Sequence, residues 1–268
     1  MDEAGVSMSE FKKIYLQGQE FASGIAVDYA PSVLVAKEKR ESKQKLAANA
    51  KVGKRFPSAL VLNQSDARPW QLQHWMKSDG RFHVMLFAGD ILASKQKERI
   101  EKCAEALRKL LERYQRPGKA LNSAIQILIV HSSPRQALEN GIFDFPEVLR
   151  GPCDPKMGWD YNRIFVDEAS YHEGGGKAYE AYGVNKESGC LVVCRPDQYV
   201  GWIGELEDVE DLGEWFEGFL VVPQTGGGDA NEKEMVVRNG DNDVDDVTGG
   251  KVKDLKGMPL DQASGLAV

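Results

Sequence analysis

The segment AIQILIVHSS, residues 124–133, limits the possible folds of this chain more than any other stretch. It is an almost continuous apolar run that ends before Pro134, without alternation of apolar and polar residues. Such a run is typical of a strand buried on both faces, as in the middle of a parallel sheet covered by helices. The chain is therefore predicted to place this strand inside a layered α/β domain.

The segments around this strand predict helices interleaved with strands. Residues 94–115 carry apolar side chains at helical spacing. A shorter helix is predicted at DARPWQLQHWM, with Asp66 near the N-cap and Pro69 in the first turn. Further strands are predicted at SALVLNQ, RFHVMLFAG, NRIFVDE, CLVVCR and YVGWIGE, and further helices at GKAYEAYG and EDVEDLGEWFEGFLV. This order predicts an α/β fold with a mixed central sheet flanked by helices, for which a thioredoxin-like arrangement is the simplest known plan.

Three regions are predicted along the 268 residues. Residues 1–55 hold a short amphipathic helix, around SEFKKIYLQGQEFASG, and a basic linker. Residues 56–222 form the thioredoxin-like domain. From residue 223 onward Gly, Asp and Asn dominate and periodicity vanishes, which predicts a disordered acidic tail.

Charge and composition restrict the partners and the compartment. A net charge of −7 argues against nucleic acid. The sequence has no apolar run long enough to span a membrane and no apolar signal core after the N-terminus, so a cytoplasmic protein is expected. The four cysteines form no CxxC pair, which fits a reducing compartment in which thiols stay free.

Cys190 and Cys194 share one predicted strand, where residues four apart lie on the same face, roughly 13 Å from each other. A disulfide needs Cα atoms closer than about 7 Å, so these two cysteines are predicted to be free core residues. In a thioredoxin-like domain the redox thiols belong in the turn after a central strand. The corresponding turn here, FAGDILASK, contains no cysteine, and Cys103 lies too far along the next helix to replace one.

Other catalytic or binding motifs are weak. His74, His83, His131 and His172 have no metal-ligand spacing. His131 and Ser132 are adjacent, but neighbouring strand residues point apart and no G-x-S-x-G elbow exists. The glycines at 174–176 are able to hold an anion in principle, although a hinge is the preferred interpretation. The absence of G-x-G-x-x-G predicts that no dinucleotide is bound in the Rossmann manner.

Two long segments resemble the C-terminal domain of fungal-type, FAD-dependent phenol hydroxylases (phenol 2-monooxygenases). They are SDARPWQLQHWMKSDGRFHVMLFAGD and YGVNKESGCLVVCRPDQYVGWIGELEDVEDLGEWFEGFL, and the resemblance extends over roughly residues 11–222. In that family the domain is thioredoxin-like, lacks redox cysteines and is associated with dimerisation. The family's flavin-binding and catalytic regions lie upstream and have no counterpart in this sequence. The resemblance therefore carries over no catalytic, cofactor-binding or metal-binding residue.

The resemblance implies a stand-alone dimerisation or accessory module that binds no cofactor by itself and meets FAD only through a partner. The expected partner is a second copy of the chain or a flavin monooxygenase chain. Two alternatives stay open at this stage. In the first, the chain is an oxidoreductase component in the hydroxylation of an aromatic compound or natural product. In the second, it is a truncated remnant of a longer FAD monooxygenase.

Seven residues are candidates for structural or interaction roles. Arg195, Pro196, Asp197 and Tyr199 form the predicted turn of the final hairpin, where a carboxylate beside an arginine is able to hold the turn as a structural anchor. Three aromatic residues are candidates for an interface, with core packing as the alternative. They are Trp202, Trp215 and Phe216.

Overall fold

The computed structural model describes residues 7–37, 41–151, 153–156 and 158–223, so the predicted tail lies outside the described residues from 224 onward. The helices are α1 (Met8–Ala22), α2 (Ser94–Tyr114), α3 (Glu147–Arg150), α4 (Ala178–Tyr182) and α5 (Val209–Glu217). The strands are β1 (Leu60–Asn63), β2 (Pro69–Gln71), β3 (Phe82–Gly89), β4 (Ile125–His131), β5 (Cys153–Asp154), β6 (Gly158–Trp159), β7 (Ile164–Val166), β8 (Ala169–Ser170), β9 (Gly174–Gly175), β10 (Cys190–Cys194) and β11 (Val200–Gly204).

Seven strands form one mixed sheet in the order β11-β10-β3-β4-β7-β1-β2. The three central strands β3, β4 and β7 are parallel, and the strands on either side of them pair antiparallel. All seven residues of β4 are buried. The sequence prediction of a doubly buried central strand in a mixed sheet is therefore confirmed.

Side chains alternate between the two faces of the sheet, as the period of a strand requires. On β3, Val84 and Leu86 pack in the core beneath α2 and α5, whereas Met85 and Phe87 pack in a second core on the opposite face. Aromatic side chains from α4 and from the segment before β1 cover that opposite face. The sheet thus separates two apolar layers, which explains why its central strands are apolar throughout.

The helix predicted over residues 66–76 is replaced by an edge strand and a turn of 3-10 helix. Residues of β2 pair antiparallel with β1, and the 3-10 helix follows at Leu72–Trp75. Asp66 accepts a hydrogen bond from the amide of Arg68 at 3.0 Å, and Ala67 has a left-handed φ of 57°. The Asp66 side chain therefore closes a tight turn between β1 and β2 instead of capping a helix.

The region predicted as a linker already contributes to the core. A 3-10 helix spans Glu41–Leu46, and Val35, Ala47, Ala50 and Val52 are buried. Helix α1 forms where the amphipathic pattern predicts it, but it buries no residue. The buried core of the domain therefore begins near Val35, about twenty residues before Phe56, and α1 lies outside it.

Candidate functional site

The turn between β10 and β11 is held by its own side chains. The guanidinium of Arg195 donates from Nε to Asp197 Oδ1 at 3.1 Å and makes a second contact from Nη2 to Oδ2. The backbone amide of Arg195 donates to the carbonyl of Tyr199 at 2.8 Å. Gln198 occupies the left-handed region with φ 68°. The arginine and the aspartate therefore form a bidentate pair within the turn.

The same turn holds the chain segment that follows α1. Tyr199 donates its hydroxyl proton to the carbonyl oxygen of Gly24 at 2.9 Å, and its ring meets the ring of Tyr29 edge-on at 4.9 Å. The Arg195 guanidinium lies 4.6 Å from the centre of the Tyr29 ring. Cation–π contacts of this kind contribute about 0.5–1 kcal/mol at exposed sites, and a hydrogen bond about 1 kcal/mol.

On its other side the turn contacts two further stretches of chain. Gln198 donates from Nε2 to the carbonyl of Met76 at 2.8 Å and accepts from Arg55 at 3.1 Å. The hydroxyl of Ser78 donates to the carbonyl of Pro196 at 2.9 Å. The turn therefore joins segments that are more than a hundred residues away in the sequence, and these contacts support its interpretation as a structural anchor.

The loop after β3 occupies the position where a domain of this architecture carries its redox thiols. The loop contains no cysteine, and its first residue after β3 is Asp90. Its Oδ1 accepts from the amide of Leu92 at 3.1 Å and from the hydroxyl of Ser133 at 2.7 Å. The amide of Ile91 donates to Ser133 Oγ at 2.8 Å. A carboxylate and a hydroxyl therefore take the amide donors that precede helix α2.

This arrangement disfavours an anion in the loop that precedes α2. An anion at a helix N-terminus needs free amide donors and a positive local potential. Here the amides of Ile91 and Leu92 are already bonded, and the Asp90 carboxylate is close enough to repel a second anion. The loop thus contains no thiol, and two of its amides are already bonded within the fold.

Buried polar groups fill the interior beside this loop. Tyr179 donates to the carbonyl of Val130 at 2.8 Å and accepts from the amide of Gly89 at 2.7 Å. Its burial raises the pKa of Tyr179 well above the ordinary value. The carboxylate of Asp167 accepts from the first amides of α4, at 2.6 Å from Ala178 and 3.2 Å from Tyr179. These groups are bonded within the fold, which favours a structural role.

His131 is buried at the end of β4. Its Nε2 lies 3.0 Å from Gln64 Oε1, while its Nδ1 has no hydrogen-bond partner among the described residues. Burial lowers the pKa of His131 to about 4. Ser132, the other half of the pair considered from the sequence, contacts the carbonyl of Lys186 at 3.3 Å. No contact joins the serine hydroxyl to the imidazole, and the pair is not arranged for nucleophilic catalysis.

The cysteines are free, as their spacing predicted. Cys190 and Cys194 lie in the same core layer, and burial raises the pKa of both thiols. Burial likewise raises the pKa of Cys103 to about 12. Cys153 is exposed. The three buried thiols are therefore poor nucleophiles at neutral pH.

The three aromatic interface candidates have different environments. Trp202 and Phe216 are fully buried in the core beneath α2 and α5. Trp215 is half-buried and lines a surface groove of about 350 Å³ together with Val33, Val35 and Gly218. Because side chains without accessible surface cannot contact a partner, the interface prediction is revised, and Trp215 alone remains a candidate.

The remaining motifs have structural explanations. The glycines at 174–176 all have left-handed φ angles, and two of them form β9, which pairs with β8. Among the described residues, no group of His, Cys, Asp and Glu side chains is arranged to hold a metal ion. In the same part of the chain, no helix combines the length and the apolarity needed to cross a bilayer.

The strand order β11-β10-β3-β4, with β3 and β4 parallel and the closing hairpin followed by α5, defines a thioredoxin-like domain. Its loop after β3 contains no cysteine. Among solved structures, a thioredoxin-like protein from Bacteroides caccae is similar, with a TM-score of 0.41 and 10% identity, over 68% of this chain and 54% of that one.

The chain belongs to the family described as phenol hydroxylase, C-terminal dimerisation domain, whose model matches residues 27–224. It is 35% identical to a phenol 2-monooxygenase of Aspergillus fumigatus over 221 residues, covering 82% of this chain and 36% of that protein. It is 32% identical to a 3-hydroxybenzoate 4-monooxygenase of Comamonas testosteroni, covering 81% and 34%. The chain thus spans about a third of the length of these relatives.

Sequence reasoning missed two groups of residues. Two partners of the anchor turn were missed: Gly24, at the end of the predicted first helix, and Tyr29, in the predicted linker. The aromatic side chain of Tyr29 within the predicted linker is the one local feature of the sequence that points to this contact. Asp167 precedes α4 by eleven residues, so no helix-capping pattern identifies it as the acceptor for the first amides of that helix.

Proposed function

We propose that this chain is a non-catalytic module that associates with a second copy and thereby pairs the catalytic parts of a flavin-dependent aromatic monooxygenase. The observation that carries the proposal is the match of residues 27–224 to a dimerisation domain, in a fold whose redox position holds no cysteine. FAD would then be bound by the monooxygenase partner and not by this chain.

The loop after β3 supports the non-catalytic part of the proposal. Chemistry in a thioredoxin-like domain depends on a thiolate stabilised at the N-terminus of the helix after the central strand. In this chain Ser133 and Asp90 accept hydrogen bonds from the amides of Ile91 and Leu92, which lie just before that helix. The nearest thiol in sequence, that of Cys103, is buried and has a raised pKa. We therefore propose that the domain acts through a rigid binding surface and not through a reactive group.

The groove lined by Trp215 and Val33 is the surface that we assign to self-association. It lies within the residues matched by the dimerisation family, and Val33 is 65% exposed beside the half-buried Trp215. Aromatic side chains in partly open pockets are frequent centres of protein interfaces. A second copy is the occupant we propose, because the matched family is a dimerisation domain.

The anchor turn is assigned a supporting role in this module. Its contacts to Gly24 and Tyr29 tie the segment after α1 to the end of the sheet, and its contacts to Met76 tie in the segment before β3. We propose that Arg195, Pro196, Asp197 and Tyr199 keep the start of the domain in a fixed position relative to the sheet. A module that pairs two catalytic parts needs such rigidity.

Native mass spectrometry of the purified full chain tests the proposal. We expect a homodimer without added mass. Val33→Glu places a charge in the groove and should weaken the dimer at least about tenfold, since burying an unpaired charge at an interface is costly. Leu92→Glu is the matched control, because Leu92 is a comparably exposed apolar residue outside the groove.

Three outcomes would contradict the proposal. A chain that is monomeric at every concentration measured would rule out self-association. Flavin or an aromatic adduct retained by the chain would show a binding site of its own and favour an oxidoreductase component. Equal weakening of the dimer by Val33→Glu and Leu92→Glu would place the interface elsewhere.

A further inference from the structure

Helix α1 is a well-defined helix that contributes nothing to the core of the body. Its N-cap is a capping box, in which the amide of Glu10 donates to Ser7 Oγ at 3.3 Å and the amide of Ser7 donates to Glu10 Oε2 at 3.0 Å. None of its residues is buried. The helix is therefore specified by local sequence but is not stabilised by packing on the described body.

One side of α1 is a continuous apolar surface, here called the α1 stripe. Its large side chains recur at helical spacing and expose between 55% and 82% of their area. They are Met8, Phe11, Ile14, Tyr15 and Phe21. The opposite side carries Ser9, Lys12, Lys13, Gln17 and Glu20, together with one large apolar residue, Leu16, which is 48% exposed. The helix thus has the composition of an element that packs on another surface through one face.

Two physical arguments indicate that the α1 stripe packs against another surface. An isolated helix of this length is marginal in water, and most helical stability in proteins comes from burial of an apolar face. Contiguous apolar patches of several hundred Å² are rare on monomeric proteins unless they bind something. Because the stripe contains no charged side chain, burial against an apolar surface is the favoured way to cover it.

We infer that the α1 stripe docks on the flavin-bearing catalytic part of a monooxygenase, an inference that rests on the proposed function. The dimerisation family matches from residue 27 onward, so α1 precedes the module that associates with a second copy. In the relatives that module is C-terminal, and about two thirds of their length lies outside the similarity. The part of a relative that adjoins α1 is therefore its monooxygenase part.

The anchor turn gives this docking a structural consequence. The chain leaves α1 at Ala22, and two residues later the carbonyl of Gly24 is bonded to Tyr199 at the end of the sheet. Tyr29 is held by the same turn. Only a short segment therefore separates the α1 stripe from a fixed point on the body. Docking of the stripe would transmit a defined orientation from the catalytic part to the module.

The test uses the full chain and two matched double variants. Phe11→Glu with Tyr15→Glu places two charges in the α1 stripe, and Ser9→Glu with Gln17→Glu places two charges on the polar side. The probe is the FAD-loaded catalytic part of the Aspergillus fumigatus phenol 2-monooxygenase, ending before its segment similar to this chain. Each form is co-purified with the probe, and flavin absorbance per chain is measured. Native mass spectrometry gives the oligomeric state of each form alone.

We expect the wild-type chain and the polar-side variant to retain the probe and the stripe variant to retain at least tenfold less, with the oligomeric state unchanged in all three. Equal retention by all forms, or no retention by the wild type, would overturn the inference. Loss of the dimer in the stripe variant alone would also overturn it, because a second copy would then cover the stripe. A monomeric wild type that still retains the probe through the stripe would reject the proposed self-association and support the docking.

Discussion

Thiol reactivity of the native chain tests the prediction that this thioredoxin-like domain carries no redox centre. The reagent is Ellman's disulfide, added to the purified full chain at pH 8. We expect one thiol to react rapidly and three to react only after unfolding. The rapid thiol is that of Cys153, which is exposed, whereas Cys103, Cys190 and Cys194 are buried.

The magnitude follows from thiolate populations and burial. The pKa of Cys103 is raised from 9.0 to about 12 by loss of solvation, which leaves roughly a thousandfold less thiolate at a given pH, since each pKa unit is a factor of ten. Cys103 is also only 3% exposed, so the reagent reaches its thiol only when the structure unfolds locally. Burial raises the pKa of Cys190 and Cys194 as well, and both side chains are fully buried.

The assay compares the time course of colour release in native buffer and in guanidinium chloride. Cys153→Ser is the control, and it should remove the rapid phase without changing the slow one. A second rapid thiol in the wild type, or any rapid thiol in Cys153→Ser, would refute the reasoning. Such a result would mean that a buried cysteine is reachable and ionised in the native state.

Two further predictions concern stability. The folded pKa of His131 is about 4, below its unfolded value of 6.5, so its contribution is complete above pH 6.5 and is lost as the pH falls toward 4. We expect the free energy of unfolding of the wild type, measured with urea, to fall by roughly 3 kcal/mol more between pH 6.5 and pH 4 than that of His131→Gln. The same pH dependence in both proteins would contradict this. Tyr199→Phe removes the hydrogen bond to Gly24 and should cost about 1 kcal/mol, with faster amide exchange at residues 24–29; unchanged exchange there would reject the anchor.

Local patterns in the sequence were sufficient for much of the fold. The apolar run of β4 predicted a strand buried on both faces, and the helical spacing between residues 94 and 115 predicted α2. The four-residue spacing of Cys190 and Cys194 predicted that these two thiols are free. These features depend on periodicity and on fixed distances along a strand or helix, which neighbouring residues determine by themselves.

The tertiary structure determined the features that depend on distant residues. Residues 69–71 form a strand and not a helix because β1 supplies the partners for their backbone. Trp202 is a core residue because α2 and α5 cover its face of the sheet, and Phe216 is one because it lies on the side of α5 that packs on that core; no local pattern distinguishes them from Trp215. The anchor turn meets Gly24 and Tyr29 across more than 160 residues of chain. Burial and long-range hydrogen bonding arise only when the sheet assembles, so the sequence by itself determined the elements and the tertiary structure determined which of their surfaces remain open to a partner.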